Sequence, residues 1–286
     1  MVAKGTNKMV KMSDMLAPLP EQNLMVVDAL NLAFRWKHQG ETSFADEYKR
    51  TVDSLARSYK AGRVVVAADW GGSVYRREIF PDYKANRKEL YADDTPEQKE
   101  ATRQFFEEYE NTLELLDKSY TVLRYKGVEA DDIAAWLVKN RIQFGFDTIW
   151  LISSDRDWDL LIDQHTHRFS YVTRKEQTLD NWDNPVPPEQ YLCYKCLTGD
   201  KGDNVPGVPG VGPKRAASLL EQYGSIMDIC DQIPLPGKYK YIQAVNDNKD
   251  QLLTNIELMD LKTYCEEAIG KQNVEDIFRQ MVFQVD

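Results

Sequence analysis

Aspartates terminate three apolar runs of this chain: Leu24-Met25-Val26-Val27-Asp28, Val64-Val65-Val66-Ala67-Ala68-Asp69 and Ile149-Trp150-Leu151-Ile152-Ser153-Ser154-Asp155. Further acids follow in short clusters: Glu129, Asp131 and Asp132 within Gly127-Val128-Glu129-Ala130-Asp131-Asp132, then Asp157 and Asp159, then Asp200 and Asp203 within Gly199-Asp200-Lys201-Gly202-Asp203-Asn204. Two carboxylates about 4 Å apart repel by roughly 4 kcal/mol at an effective dielectric near 20, so a convergent set of this size requires protons or cations. Oxygen ligands without histidine suit a hard divalent ion such as magnesium. His38, His165 and His167 lie outside the acidic clusters and read as surface or structural residues, while Asp159 and Asp163 read as surface or capping acids.

The elements that must position these acids follow from the apolar pattern. Runs so dense in Val, Ile and Leu suit strands of a parallel sheet covered on both faces, and ligands of such sheets collect at the carboxyl ends of the strands. Helical spacing through Phe44, Tyr48, Val52, Leu55 and Tyr59 predicts a crossover helix over 44–61. Thr121 to Tyr125 reads as a further strand, and Asp131 to Ile142 as a helix with Ile133, Trp136, Leu137 and Ile142 on its buried side. The alternation predicts an α/β fold with a mostly parallel central sheet and flanking helices. One strand-end aspartate would ordinarily be a turn residue or a helix N-cap; three, with two more clusters, shift the reading to metal.

Residues 82–118 interrupt the alternation. Thr95, Pro96 and Gln98 form a capping-box helix start, and Lys84, Arg87 and Lys88 would make one cationic stripe on a helix. Polar helices at this point predict an arch over the acidic edge, with Phe105, Phe106 and Tyr109 gluing it together rather than stacking on bases. Pro185, Pro187 and Pro188 mark a junction, and a mostly helical part follows. It contains Val205-Pro206-Gly207-Val208-Pro209-Gly210-Val211-Gly212-Pro213 directly before a helix opening on Lys214 and Arg215. Glycines allow close backbone approach and a helix amino end offers unpaired amides, which together suit a phosphate. The expected organisation is a tail over 1–22, a sheet domain over 23–185 with the arch at about 82–118, and a helical region over 186–286 with the glycine turn at about 200–224.

Composition narrows the class. The 286 residues are 42% hydrophobic and 29% charged, ordinary for a soluble globular protein, and no apolar run is long enough to cross a bilayer. Cys193, Cys196, Cys230 and Cys265 are too scattered to staple the chain, which predicts a reducing cytoplasm; the Cys193-x-x-Cys196 pair lacks the second pair of a zinc knuckle. A net charge of −10 opposes indiscriminate attraction to nucleic acid. Basic residues nevertheless group at Arg76, Arg77, Lys84, Arg87 and Lys88, at Arg174 and Lys175, at Lys214 and Arg215, and at Lys238 and Lys240, and with the acids neutralised by metal such patches could hold a polyanion.

In order and type these motifs resemble the flap endonuclease family of structure-specific 5′ nucleases, and within it the 5′-3′ exonucleases encoded by tailed coliphages of the T-five type. The likeness runs from about Leu24 to near the carboxyl terminus through Val27-Asp28, Asp69, Pro81 to Arg87, Gly127 to Asp132, Asp155-Arg156-Asp157, Gly199 to Asn204 and Gly207 to Gly212. It implies two metal groups, Asp28, Asp69, Glu129, Asp131 and Asp132 forming the first and Asp155, Asp157, Asp200 and Asp203 the second. They would hold two magnesium ions, manganese substituting, with Asp69, Asp131 and Asp155 at the centre of catalysis. It further implies that Lys84 and Arg87 reach the scissile phosphate, that Tyr83 lies near the terminal nucleotide, and that a helix-three-turn-helix holds duplex DNA. In that motif Gly207, Gly210, Gly212, Lys214 and Arg215 contact the backbone, with potassium alongside. The implied substrate is branched or 5′-ended DNA, cut by a monomer in the bacterial host cytoplasm. Ala29-Leu30 and Trp158-Asp159 depart from the residues common in the family and bear on substrate preference rather than on the acids.

Three other readings fit less. A PIN-type ribonuclease shares the acidic edge but would be shorter and lack the glycine turn. An aspartyl-phosphate phosphatase wants an acid two residues after the first strand-end aspartate, where this chain has Leu30. A non-catalytic junction binder has no need for nine aligned acids.

Overall fold

Strand β1, Asn23–Asp28, is buried along its whole length, and its neighbours on both sides run parallel to it. In the computed structural model, which describes residues 22–87 and 94–283, β2 (Ala61–Ala68), β3 (Thr121–Arg124), β4 (Thr148–Ile152), β5 (Thr166–Ser170) and β6 (Lys175–Gln177) complete a six-stranded sheet. The order is β3-β2-β1-β4-β5-β6, and only β6 runs antiparallel. Side chains alternate across a strand, so Leu24 and Val26 enter one core layer while Met25 and Val27 enter the other.

The second of these layers is covered by α1 (Ala29–Gln39), α2 (Ala45–Ser58) and α4 (Pro96–Asp117), through Leu32, Trp36, Tyr48, Val52, Phe105 and Leu116. The first is covered by α5 (Ala130–Lys139) through Ile133, Trp136 and Leu137. A short helix, α3 (Val74–Ile79), precedes the loop that carries Tyr83 and Lys84. A third cluster gathers α6 (Tyr191–Thr198), α7 (Pro213–Tyr223), α8 (Ile226–Gln232), α9 (Lys240–Asp247) and α10 (Lys249–Met259) around Leu197, Val208, Leu219 and Ile229.

Within residues 186–286, α11 (Leu261–Ile269) and α12 (Lys271–Phe283) return to the sheet, burying Leu261, Cys265, Ile269 and Ile277 beside α5. The Arg63 guanidinium ties that return down, donating to the carbonyls of Gln280 (2.6 Å) and Met281. Several expectations are corrected. Helix α4 opens with the capping box, Gln98 N–H on Thr95 Oγ1 at 3.3 Å and Thr95 N–H on Gln98 Oε1 at 2.8 Å. It is more than an arch, because Phe105, Tyr109, Leu113 and Leu116 are core residues. Helix α5 stops at Lys139, leaving Ile142 81% exposed instead of buried. Asp159 is buried against Arg168 (2.6 Å) and Asn184 (3.1 Å), not a surface acid. The tail over 1–21 and Lys88 lie outside the described residues.

Candidate active site

Because β1 lies between β2 and β4, the acids that end these strands arrive side by side. Asp28 caps α1, accepting from Asn31 N–H (3.2 Å) and Ser153 Oγ–H (2.7 Å). Asp69 follows β2 and accepts from Ala130 N–H (2.8 Å), which fastens it to the first turn of α5. Asp155 caps the 3₁₀ turn Arg156–Leu161, accepting from Asp157 N–H (2.9 Å). The capping and turn roles are therefore present together with the convergence, not instead of it.

The start of α5 adds Glu129, Asp131 and Asp132. Asp131 accepts from the indole N–H of buried Trp158 at 2.6 Å. Asp132 is fully buried, and both its oxygens are taken by Arg76 at 2.7 and 2.9 Å. Arg76 also donates to Glu129 (3.1 Å). Asp132 thus orients a guanidinium that bears on Glu129, and its carboxylate does not face the other acids directly.

Lys84 sits in the left-handed region at φ 56, its N–H held by the Asp203 carbonyl (2.9 Å), so the expected helical stripe with Arg87 does not form. Asn86 and Asn204 close the same contact from either side, donating to the carbonyls of Lys201 and Asp82, both at 2.8 Å. The loop instead folds Lys84 onto Glu129 (2.7 Å) and Asp203 (3.5 Å), and Arg87 onto Asp203 (3.0 Å). Tyr83 is only 5% exposed, with its hydroxyl 3.0 Å from Glu129 and 2.9 Å from Asp203; its ring packs with the helical core and also lines the cleft beside Lys84 and Arg87.

On the other side Lys195, which sequence reasoning did not single out, pairs with Asp157 and with Asp200 (3.0 Å). Asp200 also accepts from the amides of Gly202 (2.8 Å) and Asp203 (3.1 Å). Asp203 therefore bridges the groups, donating its backbone N–H to Asp200 and pairing through its carboxylate with Lys84 and Arg87. Ser153, Trp158 and Arg76 were likewise missed as partners of the acids; only their nearness in sequence to the acidic motifs could have flagged them.

Burial and mutual repulsion govern the electrostatics. Burial, then Asp69, push the Asp28 carboxyl up to about 8. Burial raises Asp69 as well, and raises Asp131 well above the carboxylate range with Asp155, Glu129 and Asp28 adding to it. Asp157 is pushed up to about 6 by burial, with Lys195 opposing. Glu129 and Asp200 are also penalised by burial, yet Lys84 and Arg76 on the first, and Lys195 on the second, hold them below the usual value. The site holds more negative charge than its lysines and arginines neutralise, and protons make up part of the difference.

Asp131, Asp157, Asp200 and Asp203 line a void of about 20 Å³, room for one water-sized occupant. The all-oxygen donor set fits a hard dication. Among the described residues, no three acids already stand in a ligating arrangement, and lysine ammoniums occupy oxygens that an ion would use. Beside the void a cleft of about 420 Å³ runs from Asp69 and Glu129 past Lys84 and Arg87 to Trp70, Phe106 and Tyr109.

The glycine turn is built by close backbone approach. Strands β7 (Gly199–Asp200) and β8 (Val205–Pro206) pair, and a Cβ on Gly207 would lie 2.3 Å from the Thr198 carbonyl, which no side chain tolerates. Gly210 has φ 77, and Gly212 precedes α7, on which Lys214 and Arg215 are exposed. Arg215 reaches back to the Gly210 carbonyl (2.6 Å).

Residues 23–184 match the family described as 5′-3′ exonuclease, N-terminal resolvase-like domain, and residues 186–279 match 5′-3′ exonuclease, C-terminal SAM fold. The chain belongs to the 5′-3′ exonuclease family. It is 44% identical over 270 residues to the flap endonuclease of Escherichia phage T5, covering 92% of each protein. DNA polymerase I of Bacillus subtilis is 33% identical over 214 residues, 71% of this chain but 23% of the polymerase. Among solved structures, the phage T5 D15 protein co-crystallised with metal ions superposes with a TM-score of 0.87 at 42% identity, over 91% of this chain and 98% of that one. A pseudo-enzyme-product complex of the phage T5 flap endonuclease with DNA and metal ions gives 0.88 at 42% identity with the same coverage. The family member described here is accordingly a nuclease, its sheet edge and helical region matching the two parts of the family.

Proposed function

We propose that the protein is a magnesium-dependent, structure-specific 5′ nuclease that hydrolyses DNA near junctions of single and double strand, leaving a 5′-phosphate and a 3′-hydroxyl. The observation that carries this reading is the gathering of acids from the ends of β1, β2 and β4, from the start of α5 and from the Asp200–Asp203 loop, with Lys84 and Arg87 paired to Glu129 and Asp203. Asp69, Glu129 and Asp131 would hold one ion, and Asp155, Asp157 and Asp200 a second. Asp28 and Asp203 add charge between them, and Asp132 acts through Arg76. When bound, two such ions supply a hydroxide at neutral pH and offset charge on the phosphate and the leaving oxygen.

The chain's own residues do the rest. Lys84 and Arg87 exchange their carboxylate partners for a non-bridging phosphate oxygen and hold the scissile group against the acidic edge. Trp158 keeps Asp131 turned toward the site. The turn at Gly207 to Gly212, read as a helix-three-turn-helix, presents amides and the Lys214 and Arg215 side chains to the duplex backbone, with a potassium ion beside it. Contacts of this kind position without reading sequence. A tail over 1–22, a catalytic part over 23–185 and a DNA-binding region over 186–286 remain the working division of the chain, with a monomer acting in the host cytoplasm as part of the same reading. Among the described residues no helix is long and apolar enough to cross a membrane.

The experiment is direct. A 5′-labelled flap incubated in magnesium is expected to release short oligonucleotides, and EDTA to abolish their release; cutting that persists in EDTA removes the proposal.

A further inference from the structure

Asp159 and Arg168 form a buried ion pair that the proposed metal chemistry does not use. Asp159, within the turn Arg156–Leu161, is 2% exposed, and Arg168 on β5 is 5% exposed. The Arg168 Nε–H donates to Asp159 Oδ1 at 2.6 Å, and Asp159 Oδ2 accepts from the Asn184 side-chain amide at 3.1 Å. A second nitrogen of the same guanidinium, Nη1, donates to the Ser153 carbonyl at 3.0 Å. Ser153 in turn touches two acids: its hydroxyl donates to Asp28 (2.7 Å) and accepts from the Asp155 N–H (3.0 Å).

A continuous set of hydrogen bonds therefore runs from Asn184, the last residue matched to the N-terminal family domain, through Asp159, Arg168 and Ser153 to Asp28 and Asp155. Arg156 fastens the same turn a second time, donating to the Asp183 carbonyl at 3.2 Å. Stability alone does not account for the buried pair. Removing two charges from water offsets most of what their attraction returns, and apolar side chains of similar volume often stabilise a fold as well or better. What apolar side chains lack is direction. A guanidinium engaged at both Nε and Nη1 has its plane fixed, and here that plane holds a backbone carbonyl two residues before Asp155. A small hard dication demands its oxygens at nearly fixed distances, so the placement of Asp28 and Asp155 has to be narrow.

We infer that Asp159 and Arg168 are positioning residues, which through Ser153 set the spacing between Asp28, assigned to the first metal group, and Asp155, assigned to the second. This role rests on the metal reading of the acids and adds what keeps the two groups at one separation. Asn184 contributes by satisfying the second Asp159 oxygen, which leaves the first free to orient the guanidinium.

The test removes the pair whole. Changing one partner alone leaves an uncompensated buried charge, whereas Asp159→Val combined with Arg168→Met removes both charges and keeps an apolar filling. Arg168→Lys is the second variant: it retains the charge beside Asp159 but replaces a planar fork by a point charge. Manganese is titrated into the full-length, metal-free proteins without DNA, free ion being read by electron paramagnetic resonance, and thermal unfolding is followed on the same samples. The double variant is expected to unfold near the temperature of the unmodified protein and to bind manganese about ten- to hundred-fold more weakly, with Arg168→Lys between the two. Its kcat on a 5′-flap in magnesium should fall with KM little changed. A pair that is merely structural would instead lower the unfolding temperature and leave manganese affinity in place, and that result overturns the positioning role. Unchanged manganese affinity in Arg168→Lys overturns it equally, including where the double variant does not fold. Because manganese binding is read without substrate, absence of cleavage by the unmodified protein counts against the nuclease reading, while unchanged affinity in a folded variant counts against the pair alone.

Discussion

Trp158 and Asp131 illustrate how one hydrogen bond can govern an acid. Trp158→Phe keeps the buried ring but removes the N–H that lies 2.6 Å from Asp131. A hydrogen bond to a charged group is worth about 1.5–3 kcal/mol, so the variant should lose about ten- to hundred-fold in turnover while its unfolding midpoint falls only modestly. Steady-state kinetics with thermal unfolding checks both. Asp155→Asn and Asp203→Asn should reduce turnover far more than flap affinity, because each removes charge from the acidic cluster and leaves Gly207 to Gly212 unchanged; an equal loss of both properties would contradict that division. The raised carboxyls set a pH dependence. Asp28 titrates near 4 when unfolded and about 8 when folded, and Asp157 near 4 and about 6. An acid with a raised folded value stabilises the fold least where the fold must carry it ionised, so the metal-free protein should lose thermal stability as pH rises from 5.5 to 8. Magnesium should restore more stability at pH 8 than at pH 5.5, measured as the shift in unfolding temperature.

At the scale of elements, two devices carry most of the positioning. The capping box of α4 satisfies two amides at the start of a helix whose later turns are core. Thr95→Ala should cost about 1 kcal/mol locally and speed amide exchange at Gln98, leaving Leu113 and Leu116 protected. The glycine turn is less forgiving. Gly207→Ala would drive a Cβ to 2.3 Å from the Thr198 backbone, separating β7 from β8. Duplex affinity should fall sharply, and because Asp200 lies on β7, turnover should fall with it. Lys214→Ala lacks that steric consequence and should weaken duplex binding with turnover at saturating substrate preserved.

For the whole molecule, charge distribution matters more than total charge. A protein of net charge −10 can hold DNA only where its cations are gathered. Phosphate contacts by Lys84, Arg87, Lys214 and Arg215 would make flap affinity fall by about a hundredfold between 50 and 200 mM salt. Anisotropy titrations across that range measure the slope, and a flat response would contradict backbone recognition. The return of α11 and α12 onto the sheet couples the chain's end to its catalytic part, so Arg63→Ala, which releases the Gln280 and Met281 carbonyls, should destabilise the sheet as well as the last helix.

The sequence by itself determined the strands that lead to Asp28, Asp69 and Asp155, the mostly parallel α/β class, the capping-box start of α4 and the glycine turn. Each rests on local signals: apolar density, a cap, or a backbone that only glycine can adopt. Tertiary structure alone decided which cation meets which acid. Lys195, Arg76 and Trp158 reach Asp157, Asp132 and Asp131 from distant or differently patterned segments, and no periodicity encodes such meetings. It also turned Lys84 away from the expected helix, because a contact with the Asp203 carbonyl outweighed local spacing, and it left Trp70 facing a cleft that the linear chain does not display.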